Sequence, residues 1–101
     1  MAVIYEVTVH VRGELADAYL AWLREHVAEV AALPGFDHAE LHAIVDDSAT
    51  EKGWCVRYRL RDAAALDDYL RDHAPRMRAD GIARFGDAMR AQRRVLATLD
   101  T

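Results

Sequence analysis

Cysteine is nearly absent from this sequence of 101 residues, which contains Cys55 and no other. A single cysteine excludes an internal disulfide and a zinc site built from four thiolates. Long apolar runs are also missing, and no segment approaches the roughly 18 residues that a membrane helix needs. The first residues lack a basic stretch followed by a cleavage site, so we expect a cytoplasmic protein that is not exported.

Lysine and proline are scarce as well, because Lys52 is the one lysine and Pro34 and Pro75 are the only prolines. Acidic residues outnumber basic ones by 17 to 13, which gives a net charge of −4. A net acidic domain is a poor candidate for nucleic-acid binding. Hydrophobic residues make up 52% of the chain, which is too many for an intrinsically disordered protein. Together these features predict one globular domain over residues 1–101.

The spacing of apolar residues alternates between the two-residue period of strands and the longer period of helices. It predicts strands over 3–11, 36–45, 54–60 and 88–98, and helices over 14–33, 63–73 and about 75–84. Asp62 is placed to cap the second helix, and Pro75 predicts a break at residues 73–74. The polar stretch 46–53 predicts a hairpin loop.

The resulting order, β-α-β-β-α-β, predicts the ferredoxin-like fold of the α+β class, a four-stranded antiparallel sheet with helices on one face. In that topology the first and third strands are central. Alternation assigns one set of residues to the face beneath the helices: Val3, Tyr5, Val7, Val9, Val11, Ala39, Leu41, Ala43, Val45, Trp54, Val56, Tyr58 and Leu60. The other set faces away from the helices: Glu6, Thr8, His10, His38, Glu40, His42, Cys55, Arg57 and Arg59.

We call that second set the open sheet face, and it admits three interpretations. It is a solvated face with cross-strand ion pairs, such as Glu6 with Arg57 or Arg59. Alternatively, it is the interface of a homodimer whose sheets face each other. It could also hold a small-molecule ligand, since convergent polar groups favour binding. The candidate ligand or interface residues are Glu6, His10, His38, Glu40, His42, Arg57 and Arg59.

Histidine is the side chain that most invites a catalytic or metal-binding interpretation. His38 and His42 are four residues apart on one strand, about 13 Å, and cannot share an ion. His10 lies two strands away, about 10 Å, so we predict no metal site and no bound cofactor. Cys55 lies in mid-strand without a histidine partner and is not expected to be a nucleophile.

A second candidate group lies on the helices, and we call it the candidate rim: His26, His73, Arg76 and Arg84. His26 and His73 each fall in an apolar helical stripe, where a histidine is commonly half-buried and bonded to a backbone carbonyl. With the two arginines they could instead hold a carboxylate or phosphate at the edge of the sheet.

The third strand partly matches a signature of RNA-recognition motif domains, which share this element order. The stretch Lys52-Gly53-Trp54-Cys55-Val56-Arg57-Tyr58 resembles that signature, but it lacks the aromatic residue that stacks on a base at its fifth position. The predicted burial of Tyr5 and Trp54 and the net negative charge also oppose RNA binding.

The chain resembles a family of short bacterial proteins known as a domain of unknown function. The resemblance rests on segments that follow one another along nearly the whole sequence: Val3-Ile4-Tyr5-Glu6-Val7-Thr8-Val9, Trp22, Glu25-His26, His73-Ala74-Pro75-Arg76-Met77-Arg78, Arg84-Phe85-Gly86 and Arg93-Arg94-Val95-Leu96. The sequence departs from the family at four positions: Ala28 for proline, Gly81 for histidine, and Met89 and Gln92 for phenylalanine. The resemblance implies the ferredoxin-like fold and supplies no activity.

A broader likeness, at the level of the fold, is to dimeric α/β-barrel proteins. These include cofactor-free monooxygenases, ethyl tert-butyl ether degradation-type proteins and effector-binding regulatory domains. We therefore expect a self-associating or ligand-sensing domain of unknown activity. The alternative is a cofactor-free enzyme of the barrel type that acts on a small aromatic or acidic metabolite, with His10, His26, His42 or His73 as acid–base candidates.

Overall fold

The computed structural model describes residues 1–45, 48 and 50–100 and has the predicted ferredoxin-like α+β fold. Its elements are β1 (Val3–Arg12), α1 (Ala16–Ala31), β2 (Phe36–Ala43), β3 (Glu51–Leu60), α2 (Ala63–Asp72), α3 (Ala74–Phe85) and β4 (Met89–Ala97). Short 3₁₀ turns precede α1 and β4. Part of the predicted hairpin loop, Asp46, Asp47 and Ala49, lies outside the described residues. None of the described helices is long and apolar enough to cross a membrane.

The sheet is antiparallel with the strand order β2-β3-β1-β4, so β1 and β3 are central as predicted. Tyr5 lies opposite Tyr58 and Val95, whereas Glu6 lies opposite Arg57 and Arg94. The odd-numbered positions of β1 therefore face the helices, and the even-numbered ones form the open sheet face. The burial of residues in β1 and β3 agrees with the faces that the sequence predicts for them. Val45, which was predicted to face the helices, lies beyond the end of β2 and is exposed.

Two differences from the predicted strands have local causes. β3 begins at Glu51 rather than at residue 54, because residues 51–53 continue the pairing with the end of β1. A register irregularity between Phe36 and His38 turns Phe36 toward the helices. There its ring packs edge-on against Tyr58 and Tyr69.

The breaks between helices follow the predicted local chemistry. Asp62 caps α2, since its Oδ1 accepts a hydrogen bond from the backbone N–H of Ala65 at 2.8 Å. Pro75 lies in the first turn of α3, where its missing N–H costs no hydrogen bond. The helical structure is interrupted at His73, between α2 and α3. Gly81 lets α3 approach α1 closely, because a Cβ there would come within 2.8 Å of the Trp22 ring.

The core fills the layer between the sheet and the helices. Its most completely buried side chains are Val11, Tyr19, Val30, Val56 and Leu60, which come from both layers. The described helices cover one face only, so within the described residues no secondary structure lies over the open sheet face of a single chain. This asymmetry separates two regions that could carry function, one within the core layer and one on the open sheet face.

Candidate functional site

Glu6 is an acidic residue that is buried on the open sheet face, with 4% of its surface exposed. Its carboxylate accepts hydrogen bonds from Arg57 Nε at 2.8 Å and from Arg94 Nε at 2.6 Å. The Arg94 guanidinium, helped by that of Arg57, holds the pKa of Glu6 below its ordinary value of 4.5 although burial opposes this. The predicted pairing with Arg57 is present, whereas Arg59 lies opposite Ile4 and His38.

Replacing Glu6 with Gln is expected to destabilise the protein by about 1–3 kcal/mol at neutral pH, since it removes two charge-assisted hydrogen bonds and leaves two arginines unpaired. The pKa of Glu6 is lower in the folded state than in the unfolded state, so this stabilisation is complete above pH 4.5. It is lost as the pH falls through the lower, folded-state pKa. Urea unfolding at several pH values measures the difference between the two proteins.

Glu40→Gln is the matched control, because Glu40 is an exposed acid on the same face. We expect it to cost under about 0.5 kcal/mol. Equal costs for the two variants would contradict a structural role of the buried carboxylate.

The edge strand β2 carries an exposed group in which Glu40 lies between two histidines. Its carboxylate oxygens are 3.5 Å from His38 Nε2 and 3.4 Å from His42 Nε2. These two contacts, His42 first, lower the pKa of Glu40. His10 lies on β1 opposite Gly53 and Arg90, away from this group. Within the described ranges, no three His, Cys, Asp or Glu side chains cluster closely enough to hold a metal ion.

The structure distributes the four residues of the candidate rim over three environments. His73 Nδ1 lies 2.9 Å from Arg76 Nη1, next to the break between α2 and α3. Arg84 Nε donates to Asp80 at 3.2 Å. His26 stacks on Trp22 with ring centroids 4.6 Å apart. The four residues therefore do not form one site, and His26 alone among them lines the apolar cavity described below.

That cavity lies between the helix-covered face of the sheet and the helices α1 and α3, and its volume is about 260 Å³. Its walls are aromatic and aliphatic, and Ile82, Gly86 and Arg90 are exposed at its opening. All four tyrosines of the chain line it. The full lining is Tyr5, Val7, Val9, Tyr19, Trp22, Leu23, His26, Val56, Tyr58, Tyr69, Met77, Arg78, Gly81, Ile82, Gly86, Met89, Arg90, Ala91 and Arg93.

Arginine supplies the charge of this cavity. Arg78, from α3, donates through Nη2 to Tyr5 Oη at 2.9 Å, and its buried Nε has no hydrogen-bond partner among the described residues. Arg93, from β4, lies opposite Val7 and so faces the helices. Arg90 donates to Glu51 at 3.0 Å, which balances its charge. Among the described residues that line the cavity, none is Asp or Glu.

Burial shifts the pKa of several other groups of the cavity toward the uncharged form. Burial raises the pKa of Tyr19 to about 12 and also raises the pKa of Tyr58 and Tyr69. Burial lowers the pKa of His26, which favours the neutral imidazole. The cavity can therefore pack against an aromatic ring, donate hydrogen bonds from hydroxyl and guanidinium groups, and attract a negative charge.

None of the predicted open-face candidates lines this cavity. Their side chains belong to the opposite side of the sheet. The cavity groups that the sequence prediction missed as a site are the four tyrosines, Trp22, Arg78 and Arg93. Tyr5 and Trp54 are buried beneath the helices, so they are not on the open sheet face where a base would stack in the RNA-binding alternative.

Several solved structures share this fold. Rv0793 from Mycobacterium tuberculosis is 22% identical with a TM-score of 0.70, and the match covers 100% of this chain and 98% of that one. The N63A mutant of SnoaB, a cofactor-independent oxygenase from Streptomyces nogalater, is 16% identical with a TM-score of 0.69, and the match covers 99% and 95%. An ethyl tert-butyl ether degradation family protein from Bacillus halodurans is 14% identical with a TM-score of 0.70, and the match covers 96% and 99%.

These identities are low, so the likeness shows the fold and not the activity. A search of curated proteins finds no match to the sequence. A family model, in contrast, matches residues 2–99, which is nearly the whole chain. The protein therefore belongs to the family described as a domain of unknown function, DUF4286.

Proposed function

We propose that this protein is a small-molecule-binding domain whose ligand occupies the cavity between the sheet and the helices. The observation that carries this proposal is an aromatic-lined space of about 260 Å³ between the sheet and the helices. Protein interiors are close-packed, and empty space next to polar groups is costly unless something fills it. A cavity of roughly 150 Å³ already holds benzene, and sites for drug-sized ligands begin near 300 Å³. The volume therefore suits a single-ring metabolite.

The binding site is tested by nuclear magnetic resonance with a set of single-ring compounds, some neutral and some charged. We expect the indole N–H of Trp22 and the backbone amides of Gly81, Gly86 and Ala91 to shift on binding. Shifts at Thr8, Cys55 and Gln92 instead would place the ligand on the open sheet face. If no compound shifts any resonance at millimolar concentration, the cavity is not a binding site.

The same protein is proposed to form a homodimer through the open sheet face. This face is uncovered in the single chain, and its two edges differ in composition. The β2 edge carries His38, Glu40 and His42, whereas the β4 edge carries Arg90 and Arg94. A twofold axis parallel to the strands would place β2 of one copy over β4 of the other, so the carboxylate of Glu40 would face the arginines of β4. In this arrangement the sequence-predicted open-face residues are interface residues.

A second candidate function, a cofactor-free oxygenase, is favoured by His26. This histidine lines the cavity, and its lowered pKa makes it a neutral base that could accept a proton from a bound phenol. Dioxygen would be the oxidant. The rate of oxygen uptake with catechol tests this candidate. The variant His26→Phe removes the imidazole but keeps an aromatic ring that can stack on Trp22, and His38→Phe is the control. Oxygen uptake faster than in the absence of protein, abolished by His26→Phe but not by His38→Phe, would support an enzyme. Uptake no faster than in the absence of protein would exclude oxidation of catechol by this protein.

A further inference from the structure

The charge of the cavity contrasts with the charge of the chain. The protein carries 17 acidic residues and a net charge of −4. Nevertheless, none of the described cavity-lining residues is acidic, and three of them are arginines. Arg90 is paired with Glu51, so Arg78 and Arg93 carry the positive charge of the cavity that no described acid pairs with, and this charge favours a negatively charged ligand.

Most arginines of the chain have an acidic partner among the described residues. Seven make ion pairs with Asp or Glu: Arg12, Arg57, Arg61, Arg71, Arg84, Arg90 and Arg94. In the described part of the chain, five arginines have no such pair: Arg24, Arg59, Arg76, Arg78 and Arg93. Of these five, only Arg78 and Arg93 line the cavity. These two are also the arginines that approach the cavity from its helix wall and from its sheet wall.

Arg78 is held in place but incompletely bonded. The hydrogen bond from Nη2 to Tyr5 Oη fixes its position against β1, at 2.9 Å. Its Nε is shielded from solvent and has no hydrogen-bond partner among the described residues, and a buried unsatisfied N–H is unfavourable. The Nε–H and a neighbouring Nη–H of a guanidinium lie side by side and match the two oxygens of a carboxylate.

Arg93 supplies the second positive charge. It lies on the helix-facing side of β4, opposite Val7. Its electrostatic effect reaches Tyr19, Tyr58 and Tyr69, where it acts against the burial that raises their pKa values. The positive potential therefore extends over the aromatic walls and is not confined to Arg78.

From these contacts we infer that the ligand of the cavity is a single-ring aromatic carboxylate, whose carboxylate binds Arg78 and whose ring packs among the tyrosines. The inference rests on the proposed function, since it names the class of ligand for the same cavity. The rings of Tyr5, Tyr19, Tyr58 and Trp22 offer faces and edges for the ligand ring. Arg93 adds attraction for the anion, and the limited volume excludes a second fused ring with large substituents.

Calorimetric titration with benzoate and with benzamide tests the inference, because the two compounds have nearly the same shape and differ in charge. We expect the intact protein to bind benzoate at least about tenfold more tightly than benzamide. Arg78→Gln should remove this preference. Arg24→Gln should keep it, because Arg24 is an exposed arginine on α1 that does not line the cavity.

Each of the other outcomes contradicts a different part of the inference: the ligand class, the binding site or the role of Arg78. Equal affinity for the two compounds would overturn the carboxylate assignment and leave the binding cavity intact. Binding of neither compound would overturn the proposed site together with its ligand class. A benzoate preference that survives in Arg78→Gln would overturn the role of Arg78. If that variant does not fold, the Nε–H resonance of Arg78 in the intact protein decides the same point, because it should shift with benzoate and remain unchanged with benzamide.

Discussion

Replacing Ala91 with Phe is expected to weaken benzoate binding by about 100-fold or more, which corresponds to about 2.7 kcal/mol. Ala91 lies on β4 opposite Val9, on the helix-covered face, and it lines the cavity. A benzyl group at this position would occupy the space that the ligand ring requires. Because the added carbons enter empty space, we expect the midpoint of thermal unfolding to stay the same or to rise. Calorimetric titration and thermal unfolding measure the two effects.

Ala97→Phe is the matched control for this variant. Ala97 lies on the same strand but is exposed at its end, and it does not line the cavity. Benzoate affinity should be unchanged in this variant. Undiminished binding in Ala91→Phe, in a protein that remains folded, would place the ligand outside the cavity.

The second large effect concerns self-association. Thr8 lies at the centre of the open sheet face, opposite Cys55 on β3 and Gln92 on β4. Thr8→Arg would place two additional cations, one from each copy, in the middle of the proposed interface, where Arg57 and Arg94 already lie. Like charges brought together between copies cost several kcal/mol, so we expect the dissociation constant of the dimer to rise by at least about 100-fold.

Sedimentation velocity at micromolar concentration measures this change. The intact protein should sediment at twice the mass of one chain, and Thr8→Arg should sediment as a single chain. Thr98→Arg adds the same charge at an exposed position beyond β4 and should remain dimeric. An intact protein that sediments as a monomer would contradict the proposed interface without affecting the cavity within each chain.

Local signals in the sequence were sufficient for much of the fold. Alternation in β1 and β3 assigned their faces correctly, because each strand pairs on both sides and has one face in the core. Asp62 and Pro75 located the start of α2 and the break before α3 through their own backbone chemistry. The pairing of Glu6 with Arg57 followed from the predicted order of the strands.

The register of β4 was harder to predict from hydrophobicity. Arg90 and Arg94 lie on the open sheet face, but Arg93 lies on the helix-covered face beside a cavity that accommodates a charged side chain. A prediction that places only apolar residues beneath the helices cannot assign Arg93 to that face. The second partner of Glu6, Arg94, was missed for the same reason.

The cavity itself was not predicted, because the same aromatic residues that line it also form the core. Tyr5, Tyr19, Tyr58 and Tyr69 have the spacing of packed positions, and a space left between them depends on the separation of whole layers. One signal was present in the sequence. Four core positions, two on strands and two on helices, carry tyrosine. Tyrosine has a hydroxyl that needs a hydrogen-bond partner, whereas phenylalanine or leucine would suit a core without polar groups. A hydroxyl repeated at buried positions indicates a polar space.

A crystal structure of the protein with benzoate is the most direct test of the account. We expect the ring between the sheet and the helices α1 and α3, with a carboxylate oxygen about 2.7–2.9 Å from a nitrogen of the Arg78 guanidinium. Benzoate bound on the open sheet face beside Arg57 and Arg94, or bound in the cavity with its carboxylate directed away from Arg78, would contradict it.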